Sequence, residues 1–184
     1  MFDGLQNNTL SRAELIYEGG TIQNIHYGDI LTKFGDCLDV STATLPYISD
    51  ATKVDRFKTS YLQNGDVIIA DTAEDETVGK CTEIRGLSGI KVLSGLHTIP
   101  CRPKMNFGAK YLGYYMNSPA YHSQLFPLMQ GIKVTSISKS ALQDTELSAP
   151  KSVDEQVKIG ECFSAIDKTI TLHQRGEFYL TKGR

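Results

Sequence analysis

Acidic side chains and one lysine crowd a short stretch of the sequence in a pattern that a metal-dependent nuclease could use. They are Asp66, Asp71, Glu74, Asp75, Glu76 and Lys80. Carboxylates that share a divalent cation can activate water for phosphodiester cleavage. The spacing is nevertheless more typical of a solvated loop between two strands, because residues 71–79 mix acidic, hydroxyl-bearing and glycine positions. A metal-dependent DNA nuclease therefore stands as an alternative prediction only.

The cysteines and histidines form no recognisable metal or nucleophile motif. The cysteines are Cys37, Cys81, Cys101 and Cys162. They lie dozens of residues apart, so we expect reduced and mostly buried thiols and no metal site. His26 and His97 each adjoin a predicted strand and are expected to be structural. Because no glycine-rich nucleotide loop or G-x-S-x-G elbow occurs either, we predict a non-catalytic protein without a cofactor.

Charge is distributed unevenly along the chain. Residues 1–79 carry thirteen acidic and five basic side chains, a net charge of −8, whereas residues 80–140 carry eight basic side chains and Glu83 alone, a net charge of +7. Residues 141–184 have a net charge of −1. Concentrated positive charge favours contact with phosphates. Residues 80–140 are therefore the predicted nucleic-acid-facing part of the chain.

Short apolar runs between turn signals predict that the first part of the chain is rich in strands. Residues 27–34, 45–48 and 66–70 are predicted strands, and residues 78–101 predict a sheet with loops. Gly65 supplies the turn before the third strand, because glycine readily adopts a positive φ.

Helical and extended segments alternate after residue 108. Residues 109–116 place Leu112, Tyr115 and Met116 on one helical face, and residues 119–130 predict a second helix. Next come an extended stretch at 131–138, a short helical turn and a final edge strand at 145–150. The tyrosines in the two helices are Tyr111, Tyr114, Tyr115 and Tyr121. Their helical spacing favours core or interface positions over base stacking.

A long helix is predicted from Val153 to about residue 175. Ser152 and Glu155 have the spacing of a capping box at its start. The apolar positions are Ile159, Phe163, Ile166 and Ile170, in steps of 4, 3 and 4. This period is typical of a helix that packs lengthwise on another helix, although a helix lying on its own domain is the alternative. The predicted class is α+β, a mixed β-rich domain with short helices followed by one long C-terminal coiled-coil-type helix.

Nothing in the sequence suggests a membrane or secretory role. Apolar runs such as 67–70 are far shorter than the roughly 18 residues of a membrane span. The first eight residues lack the basic start and apolar core of a secretory signal. A cytoplasmic location is therefore expected.

Several motifs follow one another in a set order through the second half of the chain. They are Gly131-Ile132-Lys133-Val134-Thr135-Ser136-Ile137-Ser138, Leu142, Ala149-Pro150, Asp154-Glu155-Gln156-Val157-Lys158-Ile159 and Ile166-Asp167. Together they resemble the specificity subunits of type I restriction-modification systems, in which a hydroxyl-rich loop, a strand ending in proline and an "EQ-x-x-I" helix start occur in this order. Upstream segments such as Gly65-Asp66-Val67-Ile68-Ile69-Ala70 are also similar, so that the resemblance covers nearly the whole chain.

The resemblance implies a DNA target recognition domain over residues 1–150 and a conserved spacer or dimerisation helix over residues 151–184. Full-length family members carry two such domains and two such helices, which pack antiparallel and set the distance between the halves of a bipartite target. This chain contains one of each. It is therefore either a natural half-subunit that pairs with itself or part of a longer protein.

The expected partners are double-stranded DNA, the methylation subunits and, through them, the restriction subunit, with a homodimer if the chain is a natural half-subunit. Charge and loop position assign the DNA contacts to Lys80, Arg85, Lys91, Lys110, Lys133, Thr135 and Ser136. The helix interface is assigned to Ile159, Phe163, Ile166 and Ile170. A further alternative is an assembly protein that retains the helix but has lost DNA recognition.

Overall fold

The computed structural model describes residues 2–182, with side chains for residues 2–174. The strands are β1 (Phe2–Gly4), β2 (Leu15–Ile16), β3 (Gln23–Ile25), β4 (Cys37–Asp39), β5 (Tyr47–Ile48), β6 (Val67–Ala70), β7 (Thr72–Ala73), β8 (Cys81–Arg85), β9 (Val92–Ser94), β10 (Thr98–Pro103) and β11 (Thr135–Ser136). The α-helices are α1 (Tyr27–Thr32), α2 (Tyr111–Asn117), α3 (Pro119–His122) and α4 (Val153–Lys182). 3-10 helices span Arg12–Glu14, Ala51–Ser60, Phe126–Leu128 and Ala141–Asp144.

The described strands form three sheets. The five-stranded sheet has the order β1-β10-β6-β8-β4 and is antiparallel except for the parallel β4–β8 pair. The four-stranded sheet has the order β2-β5-β3-β9, in which β3 and β9 are parallel, and β11 pairs antiparallel with β7. This arrangement confirms the predicted mixed α+β class with a long C-terminal helix. The pairing of that helix with another helix remains a prediction.

The central strand β6 separates two apolar cores. Val67 and Ile69 face the core beneath α2, whereas Ile68 and Ala70 face the core beneath α1. Side chains alternate between the two faces of a strand, so a strand covered on both faces has an uninterrupted apolar sequence. The predicted strand at 66–70 and the turn at Gly65, with φ of +92°, are confirmed for this reason.

A third core lies beneath the unusually long 3-10 helix Ala51–Ser60. The buried residues of this helix are Val54, Phe57 and Ser60, at intervals of three. A 3-10 helix has three residues per turn, so these side chains stack on one face. The spacing favours a 3-10 helix over an α-helix, whose inward positions would step by three and four. This 3-10 helix was not predicted from the sequence.

The predicted strand at 27–34 is wrong, because most of it is helix α1. His26 caps the helix, with its Nδ1 accepting a hydrogen bond from a first-turn backbone N–H at 3.2 Å. The buried Asp29 carboxylate binds Arg12 and Lys33 at 3.0 and 2.9 Å. Burial pushes the pKa of Asp29 upward, but hydrogen bonds from the two cations outweigh burial and lower it. Capping and ion pairing override the strand-like pattern.

Two other predicted elements are shorter than expected. Within 45–48, only Tyr47–Ile48 forms a strand, β5. The predicted helix at 119–130 stops at His122, and a 3-10 helix containing Pro127 follows it. Proline lacks the N–H that would continue an α-helix, so the second half of the segment cannot follow the first.

The predicted edge strand at 145–150 is absent from the described structure. The Tyr121 and Thr145 hydroxyls are 2.9 Å apart in the interior. The backbone of Glu146 pairs with a side chain, since its N–H donates to Oε1 of Gln124 and its carbonyl accepts from Nε2. These bonds satisfy the groups that a neighbouring strand would otherwise bind. The short helical turn expected after Ser138 is present as Ala141–Asp144.

The thiols are all free, but not all are buried. Cys81 and Cys101 are buried, Cys37 is half-buried and Cys162 is exposed on α4. Burial raises the pKa of Cys101 to about 12, so this thiol stays protonated at neutral pH. Among the described residues, no helix combines the length and the apolar character that crossing a bilayer would demand.

Candidate nucleic-acid interface and helix joint

The long helix α4 is attached to the domain at its first turn by one buried glutamine. Gln156 is 5% exposed. Its Oε1 accepts the backbone N–H of Gly108 and its Nε2 donates to the Pro150 carbonyl, both at 2.7 Å. Ser152 begins the helix, with its Oγ accepting the N–H of Glu155 at 3.3 Å as the capping-box pattern predicts. The glutamine of the "EQ" motif therefore ties the helix start to the domain.

Two glycines allow α4 to lie against the segment before α2. A Cβ on Gly108 would lie 2.6 Å from the Val157 nitrogen, and a Cβ on Gly160 would lie 2.5 Å from the Ala109 carbonyl oxygen. Both distances are below van der Waals contact, so a larger residue at either glycine would push the two segments apart. We call this contact, together with the Gln156 bonds, the helix joint.

Polar bonds continue the helix joint along the next two turns of α4. The Lys110 ammonium donates to Ser164 Oγ at 2.9 Å, and the Tyr114 hydroxyl donates to Asp167 Oδ2 at 2.7 Å. The Tyr114 ring also stacks on Phe163 with centroids 5.4 Å apart. Burial, followed by the hydrogen bond to Asp167, raises the pKa of Tyr114, so this phenol remains a donor at neutral pH. These contacts fix the direction in which α4 leaves the domain.

The apolar stripe of α4 begins at the helix joint and continues beyond it. Ile159 packs against the main core, whereas Phe163, Ile166 and Ile170 are 48%, 47% and 49% exposed. A groove of about 540 Å³ lies between α2 and α4 beside the stripe. It is lined mainly by Tyr111, Tyr114, Tyr115, Pro119, Ile159 and Phe163. The predicted interface residues thus lie along one helix, and three of them are half exposed in the single chain.

The predicted DNA contacts fall into three separate regions, the first of which surrounds Glu83. This carboxylate is 1% exposed and accepts hydrogen bonds from Arg85 Nε at 2.7 Å and from the backbone N–H groups of Lys110 and Gly113 at 2.7 and 3.0 Å. Arg85 and Lys110 are therefore engaged within the protein, the latter also through its ammonium. A phosphate contact by either would compete with these bonds.

The second region is a β-hairpin whose tip carries Lys133. The backbones of Gln130 and Ser136 exchange hydrogen bonds of 2.9 and 2.8 Å, which encloses five residues between them. Gly131 begins the tip with φ of +118°, and a Cβ there would lie 2.0 Å from the Val134 carbonyl oxygen. The tip therefore requires glycine. Lys133 is exposed at this tip and makes no ion pair with a described residue.

The other predicted contacts near the hairpin are less exposed or lie beside acidic groups. Thr135 is half-buried and pairs with Ala73 in the β11–β7 ladder, while Ser136 is exposed. The Lys80 ammonium is half-buried and donates to the Leu31 carbonyl at 3.1 Å. An acidic loop, Glu74, Asp75 and Glu76, follows β7 on this side. The hairpin region therefore combines lysines and hydroxyls with a local excess of carboxylates.

The third region contains Lys91, which precedes β9 of the four-stranded sheet. Its ammonium lies 5.9 Å from the centre of the Tyr61 ring. Lys91 thus adjoins the four-stranded sheet and Lys133 adjoins the two-stranded sheet, although both belong to the same basic sequence segment.

Tyr61, over which Lys91 lies, follows the 3-10 helix Ala51–Ser60, whose own basic residues were not predicted as contacts. Lys53, Arg56 and Lys58 are exposed on its outer face. The net charge of residues 1–79 conceals them, because acidic residues elsewhere in that segment dominate the count. The three-residue spacing of Val54, Phe57 and Ser60 is the sequence signal from which this exposed basic face could have been predicted.

The carboxylates considered for a nuclease do not converge. Asp66 is buried and forms a two-bond ion pair with Arg102, at 2.9 and 2.7 Å. The Asp71 carboxylate accepts from the Thr72 hydroxyl at 2.7 Å and lies 3.3 Å from His97 Nδ1. Among the described residues, no three acidic, histidine or cysteine side chains are grouped as metal ligands. The structure therefore does not assemble the site that the nuclease alternative requires.

Comparison with known proteins agrees with this geometry. The family model described as type I restriction modification DNA specificity domain matches residues 5–177. A search of curated proteins finds no match. A chain from a structure of complex assembly and conformational transition in the type I R-M system is 16% identical and superposes with a TM-score of 0.59, covering 95% of this chain and 38% of that one.

Two further solved structures are similar. The S subunit of the type I restriction-modification system from M. genitalium is 13% identical with a TM-score of 0.54, covering 91% of this chain and 37% of that one. The HsdS subunit from Thermoanaerobacter tengcongensis is 17% identical with a TM-score of 0.52, covering 95% of this chain and 37% of that one. The chain thus spans less than two fifths of each relative's length and shares the fold of that part. By its match over nearly the whole sequence, the chain belongs to the family of type I restriction modification DNA specificity domains.

Proposed function

We propose that this chain is a recognition half of a type I specificity subunit. Residues 1–150 bind double-stranded DNA at a specific sequence, and residues 151–184 form the spacer helix that docks on partner helices. The family match over residues 5–177 carries this proposal. The helix joint supports it, because a recognition domain must be held in a set direction relative to the helix that positions it.

The chain itself performs no catalysis in this proposal. It directs methylation subunits, and through them a restriction subunit, to the DNA sequence that its recognition domain binds. Phosphate contacts position such a domain, and side chains that reach base edges provide sequence choice. The exposed hairpin tip at Lys133 and the hydroxyl of Ser136 are proposed to lie on this DNA surface.

The apolar stripe of α4 is proposed to pair with a second helix. In the solved relatives, the matched chains are more than twice as long as this one. A second copy of the chain would provide a second recognition domain and a second helix. A homodimer that buries Phe163, Ile166 and Ile170 is therefore the proposed assembly.

Selection from a random duplex pool tests the recognition proposal directly. The full chain should enrich a defined sequence, and the affinity for the enriched duplex should fall steeply with salt because phosphate contacts release counterions. Lys133→Ala should reduce the salt slope by about 0.9, the value for one lost phosphate contact. Binding without any enriched sequence would contradict specific recognition, and an unchanged slope would remove Lys133 from the DNA surface.

A further inference from the structure

The outer side of the 3-10 helix Ala51–Ser60 presents an aligned row of hydrogen-bond donors. Residues three apart in a 3-10 helix lie above one another, so Lys53, Arg56 and Thr59 form one exposed row. Successive positions in the row are about 6 Å apart, since the rise is roughly 2 Å per residue. An ammonium, a guanidinium and a hydroxyl all donate to anionic oxygen, so the row suits an extended anionic partner.

Ion pairing within the domain neutralises only part of this side. Lys53 pairs with Glu14 at 2.8 Å, and Lys58 pairs with Asp55 at 2.9 Å. Arg56 forms no ion pair with a described carboxylate, and neither does Lys91. These two cations are therefore not neutralised by an ion pair within the described part of the chain.

Aromatic rings hold both of these cations in place. The Arg56 guanidinium lies 4.7 Å from the centre of the Phe57 ring, and Lys91 lies over the ring of Tyr61. Both rings belong to the apolar cluster beneath the 3-10 helix. An aromatic face attracts a cation without cancelling its charge, so each cation is positioned on a rigid base and remains available to a phosphate.

We propose that Lys53, Arg56, Thr59 and Lys91 form a phosphate-binding surface for duplex DNA, which we call the basic helix face. The proposal rests on the proposed recognition function and deepens it by stating which side of the domain lies against the DNA backbone. DNA is favoured over a small anion because the donors form a row rather than a pocket. Elsewhere, cations such as Arg85 and Arg102 are committed to buried carboxylates.

The test is a salt titration of the full chain on its selected duplex. The double variant Arg56→Ala/Lys91→Ala should reduce the magnitude of the salt slope by about 1.8, which is 0.9 for each of two lost phosphate contacts. This change corresponds to roughly 60-fold weaker binding at 100 mM NaCl, relative to a 1 M reference. Fluorescence anisotropy between 50 and 200 mM NaCl measures both quantities.

Two further variants separate the location of the charge from its number. Lys168→Ala removes one exposed cation from α4 and should leave the slope unchanged. Arg56→Lys keeps the positive charge and should retain most of the slope. If the alanine pair unfolds, Arg56→Gln/Lys91→Gln repeats the measurement, because glutamine keeps part of the alkyl chain over each ring. Thermal unfolding of every variant checks that the fold is intact.

The outcomes distinguish this inference from the function on which it rests. A wild-type chain that binds no duplex even at 50 mM NaCl contradicts the proposed recognition function itself. A wild-type chain that binds, with the same slope in the folded double variant, overturns only the basic helix face. In that case the face is free to bind another partner, such as an acidic protein surface, and the DNA lies on a different side.

Discussion

Replacing Ile166 by aspartate should break self-association of this chain. The side chain lies in the middle of the exposed stripe on α4, between Phe163 and Ile170, and all three are about half exposed, at 47–49%. A carboxylate at this position would enter an apolar seam without a cationic partner, which is costly. The same charge at Leu172, which is 68% exposed and lies on the side of the helix opposite the stripe, should have little effect.

The size of the effect follows from the exposed fractions. Full burial of a large apolar side chain contributes about 1.5–3 kcal/mol, so covering the remaining half contributes about 1 kcal/mol. In a two-fold dimer every contact occurs twice, so each stripe residue contributes roughly 2 kcal/mol to association. Ile166→Asp removes about 2 kcal/mol of this and adds at least about 2 kcal/mol for burying two charges. The dimer Kd should therefore rise about 1000-fold.

Sedimentation equilibrium over a range of protein concentrations measures this change. The wild-type chain and Leu172→Asp should shift from monomer to dimer at the same concentration, whereas Ile166→Asp should stay monomeric there. Equal association of Ile166→Asp and wild type would show that the stripe is not the interface. A wild-type chain that remains monomeric at all accessible concentrations would contradict the homodimer proposal as a whole.

Two other predictions concern stability. Gln156→Ala leaves the Gly108 N–H and the Pro150 carbonyl without partners, so the free energy of unfolding should fall by about 2–4 kcal/mol and the Tm by an amount on the order of 10 °C. The control Lys158→Ala, at an exposed position of the same helix, should change the Tm little. Equal Tm values for the two variants would refute the role of the helix joint. Asp29 has a lowered pKa in the folded state, so its stabilisation is present above its ordinary pKa of 3.8 and is lost as pH falls through the lower folded value. Asp29→Asn should therefore be less stable than wild type when both are unfolded with urea at pH 7. The difference in unfolding free energy between the two should shrink toward pH 2. A difference that stays constant with pH would show that the ion pairs do not matter.

Local patterns predicted the elements whose conformation is decided locally. The apolar run of β6 and the helical spacing of α4 each reflect the conformation of a single element, so the strand and the helix were both predicted correctly. Helix α1 was not, because it depends on His26 at its cap and on Arg12, which approaches from fifteen residues before the helix. A strand-like alternation cannot reveal an ion pair with a distant segment.

The apolar face of α4 was easier to predict from the sequence than a basic surface, for a physical reason. Helical periodicity converts sequence positions into one face directly, so the stripe of α4 lies where its spacing indicated. Charge counted along the chain carries no such geometry. Lys91 and Lys133 share a basic segment but precede strands of different sheets, and Arg56 comes from a segment with a strongly negative net charge. Only the fold shows which cations are neighbours and which are already paired.

The helix joint also makes docking of α4 and orientation of the recognition domain interdependent. The groove beside the stripe has one wall from α4, through Ile159 and Phe163, and another from the recognition domain, through Tyr114, Tyr115 and Pro119. A partner helix that covers the stripe would therefore contact the recognition domain as well. Because Tyr114 and Gln156 hold the two walls together, a rotation of the domain about α4 would disturb both the joint and the partner contact. Helix pairing should thus stabilise one orientation of the proposed DNA-binding surface relative to the partner.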